Sequence, residues 1–498
     1  MPNTLFETPR AAETFLRDSE KGLWISNKYV EAVSGETIES FNPATGEKIA
    51  KVSAAGADDV DIAVASAREA FDGHWSRITP DSRGRLLYDL AAAIEEHAEE
   101  LAELETLDNG KPLSASRRDD LPLAASLFRY YAGWTTKHVG HTIPVSSGNF
   151  HCYTRNEPVG VCAGIIPWNY PLVEAAMKLA PALACGNVMI VKPAEETPVS
   201  ILRLAELIRD TGFPPGVVNV LNGHGETCGA VLARHSGVDK VSFTGSTAVG
   251  QKIVEASAGN LKRVSLELGG KSPNIVFGDA PEGAVEGASW AINYNSGQEC
   301  TAGSRIFVEA SKYDDFVASL VSETEKLKVG PGLDPGTDLG PLVSPDQLQR
   351  VLGYVELAQR EGATLETGGH RLVDEARANG NFIAPAILTD TTNDMKVVQE
   401  EIFGPVVAVM PFKSEEELVG KANDTLFGLG AGIWTSDVTR AHRIAAAVKA
   451  GTVWVNCYAA ADPAAPFGGY KMSGYGRELG SNALDDYTET KCVWINLD

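Results

Sequence analysis

Apolar and polar positions along the chain fall into helical and strand-like stretches. Leu86–Leu104 places Leu87, Leu90, Ile94, Ala98 and Leu101 at helical spacing, with Glu95, Glu99 and Glu103 off that face. This predicts one amphipathic helix, which Asp108-Asn109-Gly110 ends with turn chemistry. From Val159 to Phe277 short β-branched runs recur at Val159–Ile166, Val188–Val191, Val217–Leu221, Lys240–Phe243, Val264–Leu268 and Asn274–Phe277. Helical patterns at Val173–Leu183, Val199–Arg209 and Ala248–Ala256 separate the earlier ones. That alternation is the signature of a parallel sheet covered on both faces. A second alternation runs from Arg305 to Val455 through Ile306–Val308, Val406–Met410, Gly432–Trp434 and Thr452–Val455, so two α/β halves are expected. Thr142–Asn156 and the tail Val493–Leu497 read as strands outside this rhythm, suited to pair with each other or with a partner subunit. No internal repeat or low-complexity tract stands out.

Composition narrows the function classes. The chain has 498 residues, 43 Lys and Arg against 66 Asp and Glu, and a formal charge of −23. Its length predicts roughly three structural units at about 150 residues each. The acidic surplus argues against a protein that coats nucleic acid or an anionic membrane. It leaves room for one small anionic ligand held by local donors. The N-terminus MPNTLFETPRAAETFLRDSE has no basic start followed by an apolar run, so no secretory signal is expected. The longest uncharged stretch, between Glu157 and Glu174, is too short and too broken by prolines to span a bilayer. Seven cysteines without CxxC or Cys/His ligand spacing predict reduced thiols, a cytoplasmic location and no metal site.

Two glycine clusters follow strands. Gly223-His224-Gly225-Glu226-Thr227-Cys228-Gly229 resembles a dinucleotide fingerprint but has one residue too many before its last glycine. Phe243-Thr244-Gly245-Ser246-Thr247-Ala248-Val249-Gly250 opens a helix, whose free N–H groups suit a pyrophosphate; a purely structural turn is the alternative. Glu195, in Lys192-Pro193-Ala194-Glu195 after a strand, can accept hydrogen bonds from a ribose diol and would repel a 2′-phosphate, or it is a solvated loop charge.

Cys300, in Asn295-Ser296-Gly297-Gln298-Glu299-Cys300-Thr301, sits among small and polar residues, and its thiol is a candidate nucleophile if nearby amides or a helix start lower its pKa. Glu267, flanked by Leu266 and Leu268 before a Gly-Gly turn, should have a raised pKa suited to a general base; the alternative is an outward residue of an alternating strand. Asn169, in Pro167-Trp168-Asn169-Tyr170-Pro171, has an amide that can donate to an oxyanion or can cap the next helix.

Together these pieces resemble the NAD(P)-dependent aldehyde dehydrogenase superfamily over essentially the whole chain. The matching stretches are EPVGVCAGIIPWNYPL, VKPAEETP, FTGSTAVG, LELGGKSPNIVF, GQECTAGSR, EEIFGPVV and PFGGYKMSGYGRELG, in that order. The likeness is greatest to bacterial NAD-preferring phenylacetaldehyde and general aldehyde dehydrogenases. It implies an α/β fold with a Rossmann-like NAD-binding domain (1–141 and 161–269), a catalytic domain (270–478) and a small β oligomerisation arm (142–160 and 479–498), assembled as a homotetramer or homodimer. It implies Cys300 as nucleophile, Glu267 as base for hydrolysis, Asn169 with the Cys300 N–H as oxyanion hole, and Lys178 as a further catalytic residue. For NAD it implies Lys192 and Glu195 at the adenosine ribose, Ser246 at the pyrophosphate, Glu401 at the nicotinamide ribose and Phe403 beside the ring. Ile165, Pro167, Trp168, Gly245, Val249, Leu268 and Gly269 complete that site, and the Gly223 cluster becomes structural.

The resemblance also places Tyr170, Glu174, Met177, Tyr294, Glu299, Thr301, Ala459, Ala461 and Phe467 at the substrate pocket, with Tyr170, Tyr294 and Phe467 as an aromatic wall for aryl or medium-chain aldehydes. Relatives usually carry bulkier residues at Ala459 and Ala461 and an apolar one at Glu174. Glu174 and Glu299 would favour a cationic aldehyde, such as betaine aldehyde or an aminoaldehyde, unless both face solvent or a salt bridge. A CoA-acylating enzyme is disfavoured because such relatives commonly lack the glutamate present at Glu267. A non-catalytic binding protein would be signalled by loss of Cys300, Asn169 or Glu267, and all three are present.

Overall fold

Five apolar runs of the first alternation form the parallel centre of an eight-stranded sheet in the computed structural model, which describes residues 11–374 and 376–498. Across this sheet the strands are Gly474–Tyr475, Arg263–Glu267, Lys240–Thr244, Val161–Ile165, Val188–Lys192, Val218–Val220, Leu23–Ile25 and Lys28–Val30. The outer three pair antiparallel, and the two from the N-terminal region are too short for a periodicity argument to find. Val161, Val188, Ile190 and Val241 are fully buried, each contributing about 1.5–3 kcal/mol. One core gathers side chains from Ala12 to Leu268 and takes back Leu479, Ala483, Leu484 and Tyr487 from the end of the chain.

The second alternation forms a seven-stranded sheet in the order Thr364–Thr367, Ala386–Thr389, Val406–Phe412, Arg305–Glu309, Pro273–Val276, Gly430–Trp434 and Thr452–Val455. All neighbours are parallel except the first pair. Its two faces carry separate cores, one around Ile275, Phe307 and Val351, the other around Ile306, Val308 and Ile292.

The single helix expected over Leu86–Leu104 is two helices, Pro80–Glu96 and Ala98–Asn109, broken at His97 (φ −99°, ψ 17°). The halves have different tasks. The first buries one stripe, chiefly against the Leu121–Ala132 helix, while the second is buried all round from Leu101 to Asn109 and packs on Val199–Asp210. Gly110, in the left-handed region (φ 93°), terminates it as the turn chemistry predicts.

The two lone strands do pair with each other. Phe150–Pro158 and Thr488–Asn496 run antiparallel from Phe150 opposite Asn496 to Pro158 opposite Thr488, with Thr142–Ile143 on the far side of Phe150–Pro158. The C-terminal strand starts earlier than Val493, because backbone pairing with Phe150–Pro158 recruits the polar Thr488–Lys491 segment. All seven cysteines are free; the Cys152 and Cys492 sulfurs lie 3.6 Å apart across this sheet. No helix among the described residues is long and apolar enough to cross a membrane. Most of the apolar-run test for a secretory signal concerns residues 1–10, outside the described residues.

Candidate active site

Strand order creates the first half of the site. From Val161–Ile165 the chain builds outward through Val188–Lys192 and Val218–Val220, then returns to the other side for Lys240–Thr244 and Arg263–Glu267. Connections therefore diverge between Ile165 and Thr244, leaving a crevice at the carboxyl ends of the strands, where open α/β sheets take ligands. Ile165, Pro167 and Trp168 leave one strand there, while Gly245, Ser246 and Val249 leave the other and open the Thr247–Ser257 helix. Ser246 is that helix's N-cap, its hydroxyl accepting from the Val249 N–H (3.3 Å). One strand further out, the Lys192 ammonium lies 3.2 Å from the Glu195 carboxylate and donates to the Pro193 carbonyl (3.0 Å). Glu195 also accepts the Gly225 N–H (2.5 Å). The Gly223–Gly229 loop thus borders the crevice, its middle glycine donating to the carboxylate expected at the ribose. The donor set suits a dinucleotide, with helix amides for a pyrophosphate and a carboxylate for a diol.

The second half comes from the loop entering the Arg305–Glu309 strand. Asn295, Ser296 and Gly297 are successive left-handed residues (φ 49°, 55° and 69°), a conformation costly for the first two. Side chains hold it: Ser296 donates to the Gly340 carbonyl (2.7 Å), Gln298 Oε1 accepts from Val343 N–H (2.9 Å), and Tyr458 donates to the Thr301 carbonyl (2.8 Å). Asn169, 3% exposed, spends one amide hydrogen on the Gln298 carbonyl (3.0 Å), two residues before Cys300. It does not cap the Pro171–Cys185 helix, whose N-cap is Tyr170. Asn295 donates to the Asn169 carbonyl (3.2 Å) and Asn109 to the Trp168 carbonyl (2.6 Å). Asn109, seen in the sequence only as a helix stop, therefore anchors the turn that carries Asn169.

The Leu268-Gly269-Gly270 turn joins the halves. A Cβ on Gly270 would collide with the Cys300 carbonyl oxygen, and one on Gly269 with the Glu401 carboxylate. Glu401 accepts the Gly270 N–H (2.9 Å), and burial pushes its carboxyl up to about 7. Leu268 is buried, its N–H donating to the Ser473 carbonyl (3.0 Å). The Phe403 ring meets Trp168 edge-on at 5.2 Å, and Arg350 and Gln347 grip the carbonyls of Glu401 and Phe403 (2.6 Å each).

Burial, and then the carboxylates of Glu299, Glu174, Glu401 and Glu267, push the Cys300 thiol well above its ordinary value. The expected lowering is absent because burial, and after it the neighbouring acidic groups, raise the thiol, and Cys300 lies in a turn, not at a helix start. Glu267 behaves as expected: burial, then Glu478, raise it well above the carboxylate range.

Beside Glu267 lies a buried ionic cluster. The Lys178 ammonium donates to Thr244 Oγ1 (2.6 Å), Glu478 (2.6 Å) and Glu174 (3.3 Å). Burial pulls it down, but Glu478 and Glu174 outweigh that and hold it above the usual lysine value. Glu478 went unnoticed in the sequence because its motif, GYGRELG, has no spacing that points to Lys178 some 300 residues away.

Of the pocket positions, Tyr170 donates to Glu299 (2.7 Å), which also accepts from Thr301 (2.8 Å). Tyr294 donates to Asp119 (2.8 Å) and stacks on Trp290. Met177 is buried on the Lys178 helix, and Phe467 bridges Glu478 through its backbone. Ala459 packs by Trp454 and Tyr458, whereas Ala461 is exposed. Glu174 is paired with the Lys178 ammonium, whereas Glu299 accepts only from the Tyr170 and Thr301 hydroxyls.

A sheet crevice with a dinucleotide's donors, facing a cysteine with an amide and a carboxylate beside it, defines an oxidoreductase of the cysteine type. Residues 29–493 match the model of the aldehyde dehydrogenase family, and the chain belongs to that family. The mitochondrial aldehyde dehydrogenase of Mesocricetus auratus is 50% identical, covering 95% of each chain. The NAD+ complex of the aldehyde dehydrogenase from Bacillus cereus has a TM-score of 0.96 and 49% identity, covering 99% of each chain. The NAD+ complex of betaine aldehyde dehydrogenase from Staphylococcus aureus has a TM-score of 0.97 and 39% identity, covering 99% of this chain and 98% of that one.

Proposed function

We propose that this aldehyde dehydrogenase uses NAD to oxidise aromatic or medium-chain aliphatic aldehydes to carboxylic acids through Cys300. The observation that carries the proposal is the joining of Asn169 to the Cys300 loop (3.0 Å to the Gln298 carbonyl), with Glu267 behind the glycine turn that the Cys300 carbonyl crowds. NAD, when bound, supplies the hydride acceptor. Lys192 and Glu195 would hold its adenosine ribose, Ser246 and the helix start its pyrophosphate, and Glu401 its nicotinamide ribose, with Phe403 by the ring. The NAD+ complexes of the Bacillus cereus and Staphylococcus aureus relatives support this choice.

The Cys300 sulfur attacks the aldehyde carbon, and Asn169 with a backbone N–H receives the oxyanion of the thiohemiacetal. Once hydride has left, a thioester remains. Glu267 takes a proton from the water that hydrolyses it. Lys178 acts through its partners as a positioning residue. The aryl or medium-chain preference is supported by Tyr170 and Tyr294 and by the engagement of both pocket glutamates. The test is NADH formation without CoA, comparing kcat/KM for phenylacetaldehyde, hexanal and betaine aldehyde. Activity confined to the CoA-supplemented reaction removes the hydrolytic reading, and a marked betaine preference overturns the substrate class.

The sheet of Phe150–Pro158 and Thr488–Asn496, with Trp494 (52% exposed) and Ile495 beside it, is proposed as the oligomerisation arm of a homodimer or homotetramer. A monomeric mass in solution would refute it. The free thiols support a reducing, cytoplasmic setting, which a thiol titration of freshly lysed cells would test.

A further inference from the structure

Glu174 is the group in the buried cluster that the chemistry above does not use. It projects from the first turn of the Pro171–Cys185 helix, one turn before Lys178, and is 8% exposed. A lysine ammonium has three N–H donors. Here they go to Thr244, Glu478 and Glu174, and none is left. Glu267 is the cross-strand neighbour of Thr244, yet its Oε2 is buried without a partner among the described residues. The Lys178 ammonium thus stands among three carboxyl groups and is hydrogen-bonded to two of them.

We propose that Glu174 is a positioning residue that occupies the third donor of Lys178 and so keeps that ammonium from Glu267, holding a proton on the base until the site becomes more alkaline. The proposal rests on Glu267 being the hydrolytic base. Of the other groups facing Glu267, only Arg477 brings positive charge, and it makes no hydrogen bond to that carboxyl among the described residues. On the neighbouring strand, Ser242 contacts Glu478 (3.4 Å). Arg477 approaches from the segment after Gly474–Tyr475 and its charge favours ionised Glu267, but its Nη1 donates to the Gly469 (3.2 Å) and Gly476 (2.6 Å) carbonyls and not to Glu267. Cys300 and Glu401, from the other half, bring no positive charge. Glu174 itself is held above the usual carboxylate range by burial, and it raises Glu267 in turn. The sign follows. A base works when unprotonated, so hydrolysis falls as pH drops through the raised pKa of Glu267. Removing Glu174 frees a Lys178 donor, lowers that pKa and moves the acid limb to lower pH.

The experiment isolates thioester hydrolysis in the full-length protein. p-Nitrophenyl acetate acetylates Cys300: the sulfur bonds to the acyl carbon, p-nitrophenolate leaves with the electron pair, and water then releases acetate and restores the thiol. Deacylation is followed against pH for the parent, E174Q, E174M and Glu267→Gln, with melting temperatures alongside. The expected result is an acid-limb midpoint lower by about one pH unit in E174M, and a smaller shift in E174Q, whose amide oxygen can still accept from Lys178. At pH below both midpoints, that makes E174M about tenfold faster than the parent. A merely structural role would change amplitude or melting temperature and leave the midpoint in place. Superimposed limbs, with deacylation lost in Glu267→Gln, overturn the role of Glu174 and spare the base. Unchanged deacylation in Glu267→Gln overturns the base and this proposal with it.

Discussion

Two buried lysines near strand ends of the same sheet face opposite circumstances. Lys192 meets one carboxylate, Glu195, at a half-buried edge that also offers the Gly225 amide. Lys178 is wholly buried between Glu174 and Glu478, with Glu267 close by and its oxygen unpartnered. The first pair is balanced in charge and its carboxylate is partly exposed, which suits a ligand that must bind and leave. The second is rich in acid and buried, which raises Glu174 and Glu267 above the ordinary carboxylate range and suits a step that moves a proton. The same residue types thus make a binding edge or a proton-holding site, according to burial and count.

The comparison can be broken at several strengths. At the reacting end, Cys300→Ala should abolish aldehyde oxidation while NAD binding, read by the quenching of intrinsic tryptophan fluorescence, persists; residual turnover would place the nucleophile elsewhere. Asn169→Ala should lower kcat by ~100–1000-fold, as loss of one oxyanion donor does. If kcat holds while KM rises, Asn169 serves only to anchor the Gln298 carbonyl. At the binding edge the effect should be smaller and of another kind. Glu195→Gln should reduce the preference for NAD over NADP in kcat/KM by about tenfold, the scale of one partly screened charge contact, with kcat nearly unchanged. An unaltered ratio would mean that Glu195 does not face the ribose.

Much of this was legible before the structure. Strands such as Val188–Lys192 and Val161–Ile165 are apolar runs whose burial the alternation states directly. Ser246 capping its helix and Gly110 ending another follow from local chemistry. The short strands Leu23–Ile25 and Lys28–Val30 escaped because sheet partners, not their own pattern, hold them. Leu86–Leu104 was misjudged as one helix because periodicity cannot sense that the two halves pack on different neighbours.

What the sequence alone determined is the kind of chemistry: a thiol in a polar turn, a glutamate between leucines, an amide in a rigid turn and a glycine loop after a strand. These are local choices of residue and spacing. What only the tertiary structure decided is their electrostatic state. Burial first, and then the carboxylates of Glu299, Glu174, Glu401 and Glu267, three of them distant in sequence, hold the Cys300 thiol above its ordinary value. Glu174, which is compatible in sequence with a pocket for cations, instead spends its charge on Lys178. Burial and through-space charge depend on which residues meet, and periodicity along the chain carries no record of that.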